Sequence, residues 1–293
     1  MVSASGRRGQ VLHAHKRGVS LRRACALYRV TRSALRYESK REKADGPVLA
    51  QVRAMAARYP SNGYRLVREF LKRDGLSLSA KRTYRLWRAA KLQLPRKRAR
   101  KRVATSRPRP TPPTTYNHVW AIDFVFDACA DGRQIKCLTV IDEWTRECLA
   151  IDVAGSLRSR RVVEVLAALV STRGAPRFLR ADNGPEFVSR ALVTWMADEN
   201  IETAFTDPGK PWQNGVNESF NGTFRNGCLG REWFRNRTEA AAVIAAWRAH
   251  YNDKRPHSSL RYLTPRNLTT KMRPRVSEFS ESKRLKEGES RAC

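Results

Sequence analysis

Residues 118–128 read HVWAIDFVFDA, and their pattern decides the fold. Trp120, Ile122, Phe124 and Phe126 fall on one side; Ala121, Asp123, Val125 and Asp127 fall on the other. A period of two is a β-strand with at least one face in a core. Asp123 stands in the middle of that strand. A buried, unpaired carboxylate is costly, so a structural role explains it poorly. The search for its partners organises the rest of the chain.

Moving toward the C-terminus, Asp131–Gly132 reads as a hairpin turn. A second strand, QIKCLTVID, follows at 134–142, and a third, ECLAIDV, at 147–153. Residues 157–172 are helical, with Val162, Val165, Leu166 and Leu169 on one face. A fourth strand, RFLRA, ends at Asp182–Asn183–Gly184. Residues 186–199 are helical through Phe187, Ala191, Trp195 and Met196, and 201–205 make a short fifth strand. This order predicts an α/β fold, a mixed five-stranded sheet with flanking helices. Asp182 lies just past a strand end, where open α/β sheets place ligands; alone, it reads more readily as an Asx turn. If the first and fourth strands are neighbours, Asp123 and Asp182 converge. Asp127, Asp142 and Glu186 read as supporting or structural carboxylates.

Residues 207–228, DPGKPWQNGVNESFNGTFRNGC, supply a third carboxylate. Pro208, Gly209 and Pro211 make a loop, and Pro211 suits a helix start. From Trp212 the spacing predicts a helix. Asn214, Glu218, Asn221 and Arg225 share one face, and Val216, Phe220 and Phe224 share the opposite one. A polar stripe of one carboxylate among amides, followed by an arginine, suits a metal ligand beside a phosphate-bearing substrate, with Asn214 and Asn221 expected to contact DNA. Three oxygen ligands on three elements suit Mg²⁺, and two such ions serve phosphodiester displacement. Lys210, Trp212 and Gln213 read as a loop that either meets DNA or only enters the helix. A further helix is predicted at 238–251. Residues 273–293 read as a polar tail, expected to be disordered.

Toward the N-terminus the charge changes. The chain carries 58 Lys+Arg against 27 Asp+Glu, a net +31, of which +26 lies in residues 1–115 and +5 in 116–293. A charge so concentrated favours a polyanionic partner, nucleic acid above all, over a small acidic substrate. Residues 1–40 read as a helix-turn-helix-like region. Leu12, Leu21, Ala24, Cys25, Leu27 and Tyr28 form its small core, Ser20 caps its second helix, and Arg32 and Arg36 lie on its third. Residues 39–47 read as a polar break. Residues 48–94 form a second helical, basic module, whose last helix carries Lys81, Arg82, Arg85 and Arg88 beside Tyr84, Leu86 and Trp87. Basic residues above and aromatics below suit packing under a phosphate contact. Residues 95–115 are a basic, proline-rich linker. The six cysteines show no disulfide or zinc spacing and read as reduced, buried thiols. No apolar run reaches the ~18 residues of a membrane helix, and the thiols suit a cytoplasmic protein.

The ordered motifs WAIDFVFD (120–127), RADNGPEF (180–187) and DPGKPWQNGVNESFNGTF (207–224) resemble those of the DDE transposases of bacterial insertion sequences. More narrowly, they resemble the second-frame (OrfB) catalytic subunit with a retroviral-integrase-like core. The 35 residues between Asp182 and Glu218 match that group's spacing. YNDKRPHSSLRYLTP (251–265) resembles its C-terminal motif, and residues 63–92 resemble the helical segment ahead of its core. The resemblance covers about residues 10–270 and implies an RNase H-like core at 116–272. It makes Asp123, Asp182 and Glu218 the metal-binding catalytic triad, and Arg225 a contact to donor DNA. It implies Mg²⁺ as cofactor, two ions in all, with Mn²⁺ able to substitute. The implied reaction is cleavage at the element's ends and attack of the freed 3′-OH on another phosphodiester. The implied partners are DNA, a second copy of the chain at least, and an upstream-frame (OrfA) protein. The rival readings are an RNase H-like nuclease and an inactive DNA-binding regulator derived from a transposase.

Overall fold

The computed structural model describes residues 4–37, 40–95, 111–182, 184–204 and 214–272. β1 (Val119–Ala128), β2 (Gln134–Asp142) and β3 (Cys148–Ala154) form an antiparallel meander. Gly132, with φ of 78°, makes the first hairpin turn. β4 (Phe178–Arg180) lies parallel to β1, and β5 (Glu202–Thr203) lies parallel to β4. The sheet order is β3-β2-β1-β4-β5, which makes β1 the central strand.

The alternation along β1 divides the core in two. On one face Trp120 and Ile122 join Leu138 and Val140 under α7 (Ser159–Arg173) and α8 (Arg190–Asp198). On the other, Val125, Cys137 and Ile141 lie under α9 (Gly215–Phe224) and α10 (Arg237–Asp253). α8 begins later than the apolar spacing predicts. Ser189 caps it by accepting from the Leu192 amide, while Glu186 and Phe187 stay in the preceding turn.

Two polar clamps hold the helices to the sheet. Asn252 of α10 grips the backbone of Cys148, accepting from its N–H and donating to its C=O, each at 2.9 Å. This covers part of the β3 edge. Buried Glu147 accepts from Arg173 at the end of α7 and from Thr269 of α11 (Pro265–Met272). The sequence pattern did not announce α11.

The basic half is helical. α1 (Ala4–Lys16), α2 (Leu21–Leu27) and α3 (Arg32–Arg36) pack around Val11, Ala24 and Cys25. Ser20 and Thr31 cap α2 and α3. The expected core contacts of Leu12 and Leu27 are wrong: both are exposed, and Val11 takes the inner position one residue before Leu12. The expected break at 39–47 is also wrong, because α4 (Lys40–Arg58) runs straight through Pro47. Proline removes one helical hydrogen bond there. The tertiary contacts that hold this part of α4 are to α6: Asp45 is gripped by Arg82 and Arg85, and the Ala44 carbonyl accepts from Arg82. α5 (Tyr64–Arg73) and α6 (Ala80–Ala89) complete this unit around Val52, Val67, Phe70, Leu86 and Trp87. Tyr59 joins it to the sheet half, with its hydroxyl 3.0 Å from His250 Nε2 on α10. Cys25, Cys129, Cys137, Cys148 and Cys228 are buried free thiols.

Candidate active site

β1 and β4 are adjacent and parallel, with Ala121 opposite Arg180. The condition for Asp123 and Asp182 to meet is thereby fulfilled, since each stands two residues further along its own strand direction. Arg180 is fully buried against Glu143, with Nε–Oε1 of 3.1 Å, and also donates to the Thr111 carbonyl at 2.8 Å. This buried pair fixes the end of β4 just ahead of Asp182. Nothing in the local spacing pointed to it, because its partner lies 37 residues away. Asp182 itself is exposed and accepts the Gly184 amide at 3.0 Å.

The third element is α9. Val216, Phe220 and Phe224 are buried against the sheet and α10, as the four-residue steps predict. Phe220 and Phe224 meet Trp247 at ring-centroid distances of 5.8 and 4.9 Å. The adjoining polar stripe also meets β1. The Asn221 amide donates to Asp123 Oδ2 at 2.7 Å, and the Phe124 N–H donates to Asp123 Oδ1 at 2.8 Å. Glu218, exposed, is one helical turn before Asn221 and so projects from the same side. Asn221 was expected to contact DNA; the structure gives its amide to Asp123 instead. Asn214, also expected at DNA, is buried. Asn217, fully buried with both side-chain polar atoms unpartnered among the described residues, was missed because it falls between the two helical faces.

Past Phe224 the helix widens into a π turn, Arg225–Leu229, a feature frequent at functional sites. Gly227 lets Trp247 Nε1 approach to 3.1 Å of where a Cβ would stand. Arg225 is exposed and reaches back to the Phe126 carbonyl of β1 at 3.4 Å. Lys210, with Trp212 and Gln213, lies outside the described residues. On the helical half, Arg32, Arg36, Lys81 and Arg88 are exposed, whereas Arg82 and Arg85 are paired with Asp45. Glu186 pairs with Lys136 of β2, a structural role.

The electrostatics of Asp123 set it apart. Burial pushes its carboxyl up to about 6, and the negative charges of Asp182 and Glu218 push the same way against the two hydrogen bonds. Among the described residues no three His, Cys, Asp or Glu side chains are drawn up close enough to hold one ion. The donor set nevertheless fits a hard cation. Asp182 and Glu218 both lie within electrostatic reach of Asp123. Mg²⁺ needs only one or two carboxylates beside water and substrate phosphate.

This mixed sheet carries acidic residues on β1, after β4 and on α9. Two models of the integrase core domain match the chain, at residues 113–211 and 199–265. The 31.7 kDa protein of insertion element IS407 from Burkholderia multivorans is 41% identical over 258 residues, covering 88% of this chain and 93% of that protein. The 39.2 kDa protein of insertion element IS476 from Xanthomonas euvesicatoria is 40% identical, over 87% of this chain and 74% of that one. The transposase InsD of insertion element IS2 from Escherichia coli is 29% identical, over 76% and 78%. Among solved structures, the simian T-cell lymphotropic virus intasome gives 14% identity and a TM-score of 0.45 over 77% of this chain and 76% of that one. The chain belongs to the integrase-core family, among the DDE transposases of insertion sequences.

Proposed function

We propose that this chain carries out metal-dependent cleavage and joining of DNA strands at the ends of an insertion element. The observation that carries the reading is Asp123. Its carboxylate is mid-strand, half-buried, held by one backbone amide and Asn221, and pressed by two further carboxylates. A carboxylate kept only for structure is saturated with donors; this one is left with lone pairs facing like charge. Asp123, Asp182 and Glu218 would hold the divalent ions. Bound there, two Mg²⁺ ions, or Mn²⁺ in their place, supply activation of the attacking oxygen and stabilisation of the leaving oxygen.

The chain's own residues do the positioning. Asn221 fixes the orientation of Asp123, and the buried Arg180–Glu143 pair fixes the strand that presents Asp182. Arg225, on the β1 side of the π turn, is placed to contact a DNA phosphate. Arg32, Arg36, Lys81 and Arg88 offer exposed charge for further backbone contacts. Arg82 and Arg85 would have to share theirs with Asp45. The helical region at 1–40 and the module at 48–94 then serve as the DNA-binding part, and 116–272 as the catalytic core. Joining two element ends calls for at least two copies of the chain, and an upstream-frame protein is a further partner. No helix of the described residues is long and apolar enough to cross a membrane, and the reading places the protein with DNA in the cytoplasm.

The test is a supercoiled plasmid carrying the gene's native flanking DNA, incubated with purified protein with and without Mg²⁺. Mg²⁺-dependent nicks at two defined ends, lost in Glu218→Gln, support the reading. Nicks without any joined strands would instead support a plain nuclease.

A further inference from the structure

The turn that follows α10, with the sequence KRPHSS at 254–259, takes no part in the chemistry at Asp123. Two of its surroundings are explained by packing. Tyr251 is 5% exposed, and its ring meets the His257 ring edge-on at 4.7 Å. Arg255 is not explained so. Its guanidinium makes no hydrogen bond or ion pair among the described residues, although it is largely withdrawn from water, which lowers its pKa. A cationic head group left without an anion in such a place is costly.

The space in front of it is a cavity of about 430 Å³, enclosed by α9, the start of α5 and this turn. Arg146 of the β2–β3 turn, Ser219 and Thr223 of α9, and Ser258 line it with Arg255 and His257. Arg73 of α5 is anchored close by, donating to the carbonyls of Lys254 and Tyr262. The charged groups that act on His257 are Arg255, Arg146 and Arg73, and all three are cations; together with burial they hold the imidazole neutral. Three elements thus direct positive charge and hydroxyl groups into one cavity, with no carboxylate among its lining residues.

We propose that this cavity binds a phosphate of a nucleic-acid strand, with Arg255 as its principal contact. A tetrahedral anion suits a guanidinium flanked by hydroxyl donors. That the anion belongs to DNA rests on the function proposed above. The cavity lies against α9, the helix that carries Glu218 and Asn221 toward β1. A helix is about 10–12 Å across with its side chains, and DNA phosphates follow one another by about 3.4 Å of rise per strand. The cavity therefore lies across α9 from Asp123, about one helix diameter away. Such a contact would hold the strand on both sides of α9.

The experiment measures binding of the full chain to a fluorescein-labelled duplex of the native flanking DNA, by anisotropy, in EDTA, over a series of salt concentrations. Arg255→Gln is expected to weaken binding about tenfold and to reduce the salt slope by about 1. Because that variant opens a buried position, Ser258→Asp is measured beside it. It places a carboxylate at the exposed rim of the same cavity, and is expected to cause a similar loss with an unchanged circular dichroism spectrum. Inorganic phosphate is the second probe, expected to raise the melting temperature of the wild type and not of Arg255→Gln. Unchanged affinity and slope in Ser258→Asp, with its fold intact, would overturn the proposal. Phosphate stabilisation without any DNA effect would overturn it too, by showing a site for a free anion. The assay needs no cleavage, so failure of the catalytic reading and failure of this site are separately visible.

Discussion

Two aspartates on neighbouring strands show how one sheet treats a structural carboxylate and the one proposed to hold a metal ion. Asp142, at the end of β2, is 2% exposed. It accepts from the Asn117, Trp144 and Thr145 amides and from the Thr145 hydroxyl, at 2.7–3.0 Å. Burial raises its pKa, and the principal opposing influences are those hydrogen bonds. Asp123, on β1, is also raised by burial, but it has only two donors, and Asp182 and Glu218 add to the rise. The first carboxylate completes a turn. The second, with fewer donors and like charge beside it, stands where a cation would relieve it.

The largest expected effect lies on the reactive side. Asp182→Asn and Glu218→Gln should each lower strand cleavage about 10³-fold or more, with duplex binding unchanged in a filter or anisotropy assay. Retained cleavage would remove that residue from the site. Next comes the structural side. Asp142→Ala should cost about 3–5 kcal/mol in urea unfolding, because several buried donors lose their acceptor. A loss below about 1 kcal/mol would mean that water replaces the carboxylate there.

Asp123→Asn should do the opposite in metal-free protein. A carboxyl raised to about 6 in the fold favours the protonated form. Its contribution to stability is therefore full below about pH 4 and is lost as pH rises through about 6. At pH 8 the neutral amide should be more stable than the wild type by about 1–3 kcal/mol, and the gap should close below about pH 4. Saturating Mg²⁺ should recover stability in the wild type, by about 2–3 kcal/mol at a hundred times its dissociation constant, and should do much less for Asp123→Asn. Equal pH profiles for the two proteins would break the contrast between the aspartates.

A further pH effect is at His257, whose pKa is lowered to about 3 by burial and the surrounding arginines. A depressed histidine contributes stability above about pH 6.5 that is lost as pH falls toward 3. His257→Gln should flatten the stability profile between pH 6 and 4, measured by thermal unfolding in EDTA.

The sheet, and the strand and helix that carry Asp123 and Glu218, were legible because they follow local rules. The two-residue alternation around Asp123 placed β1 and its two faces, and the four-residue steps of Val216, Phe220 and Phe224 placed α9 on the core. What escaped depends on partners distant in sequence. α4 runs through Pro47, with Arg82 and Arg85 gripping Asp45 from almost 40 residues away. Asn221 is one more polar residue on a stripe until β1 brings Asp123 within 2.7 Å of it. The Arg180–Glu143 pair, the Glu147–Thr269 contact and the lack of a partner for Arg255 among the described residues are invisible to periodicity for the same reason. The π turn at Arg225 was missed because the sequence there continues a helical spacing, while Gly227 lets Trp247 come close.

The most direct test of the central claim uses a short duplex of the element's end with a free 3′-OH, and counts strands joined to a second duplex in Mg²⁺. Asp123→Asn, Asp182→Asn and Glu218→Gln would be assayed singly and together. The account predicts that each single change abolishes joining as fully as the triple change, because the three carboxylates act as one unit. Joining that survives in any one of the three would contradict it.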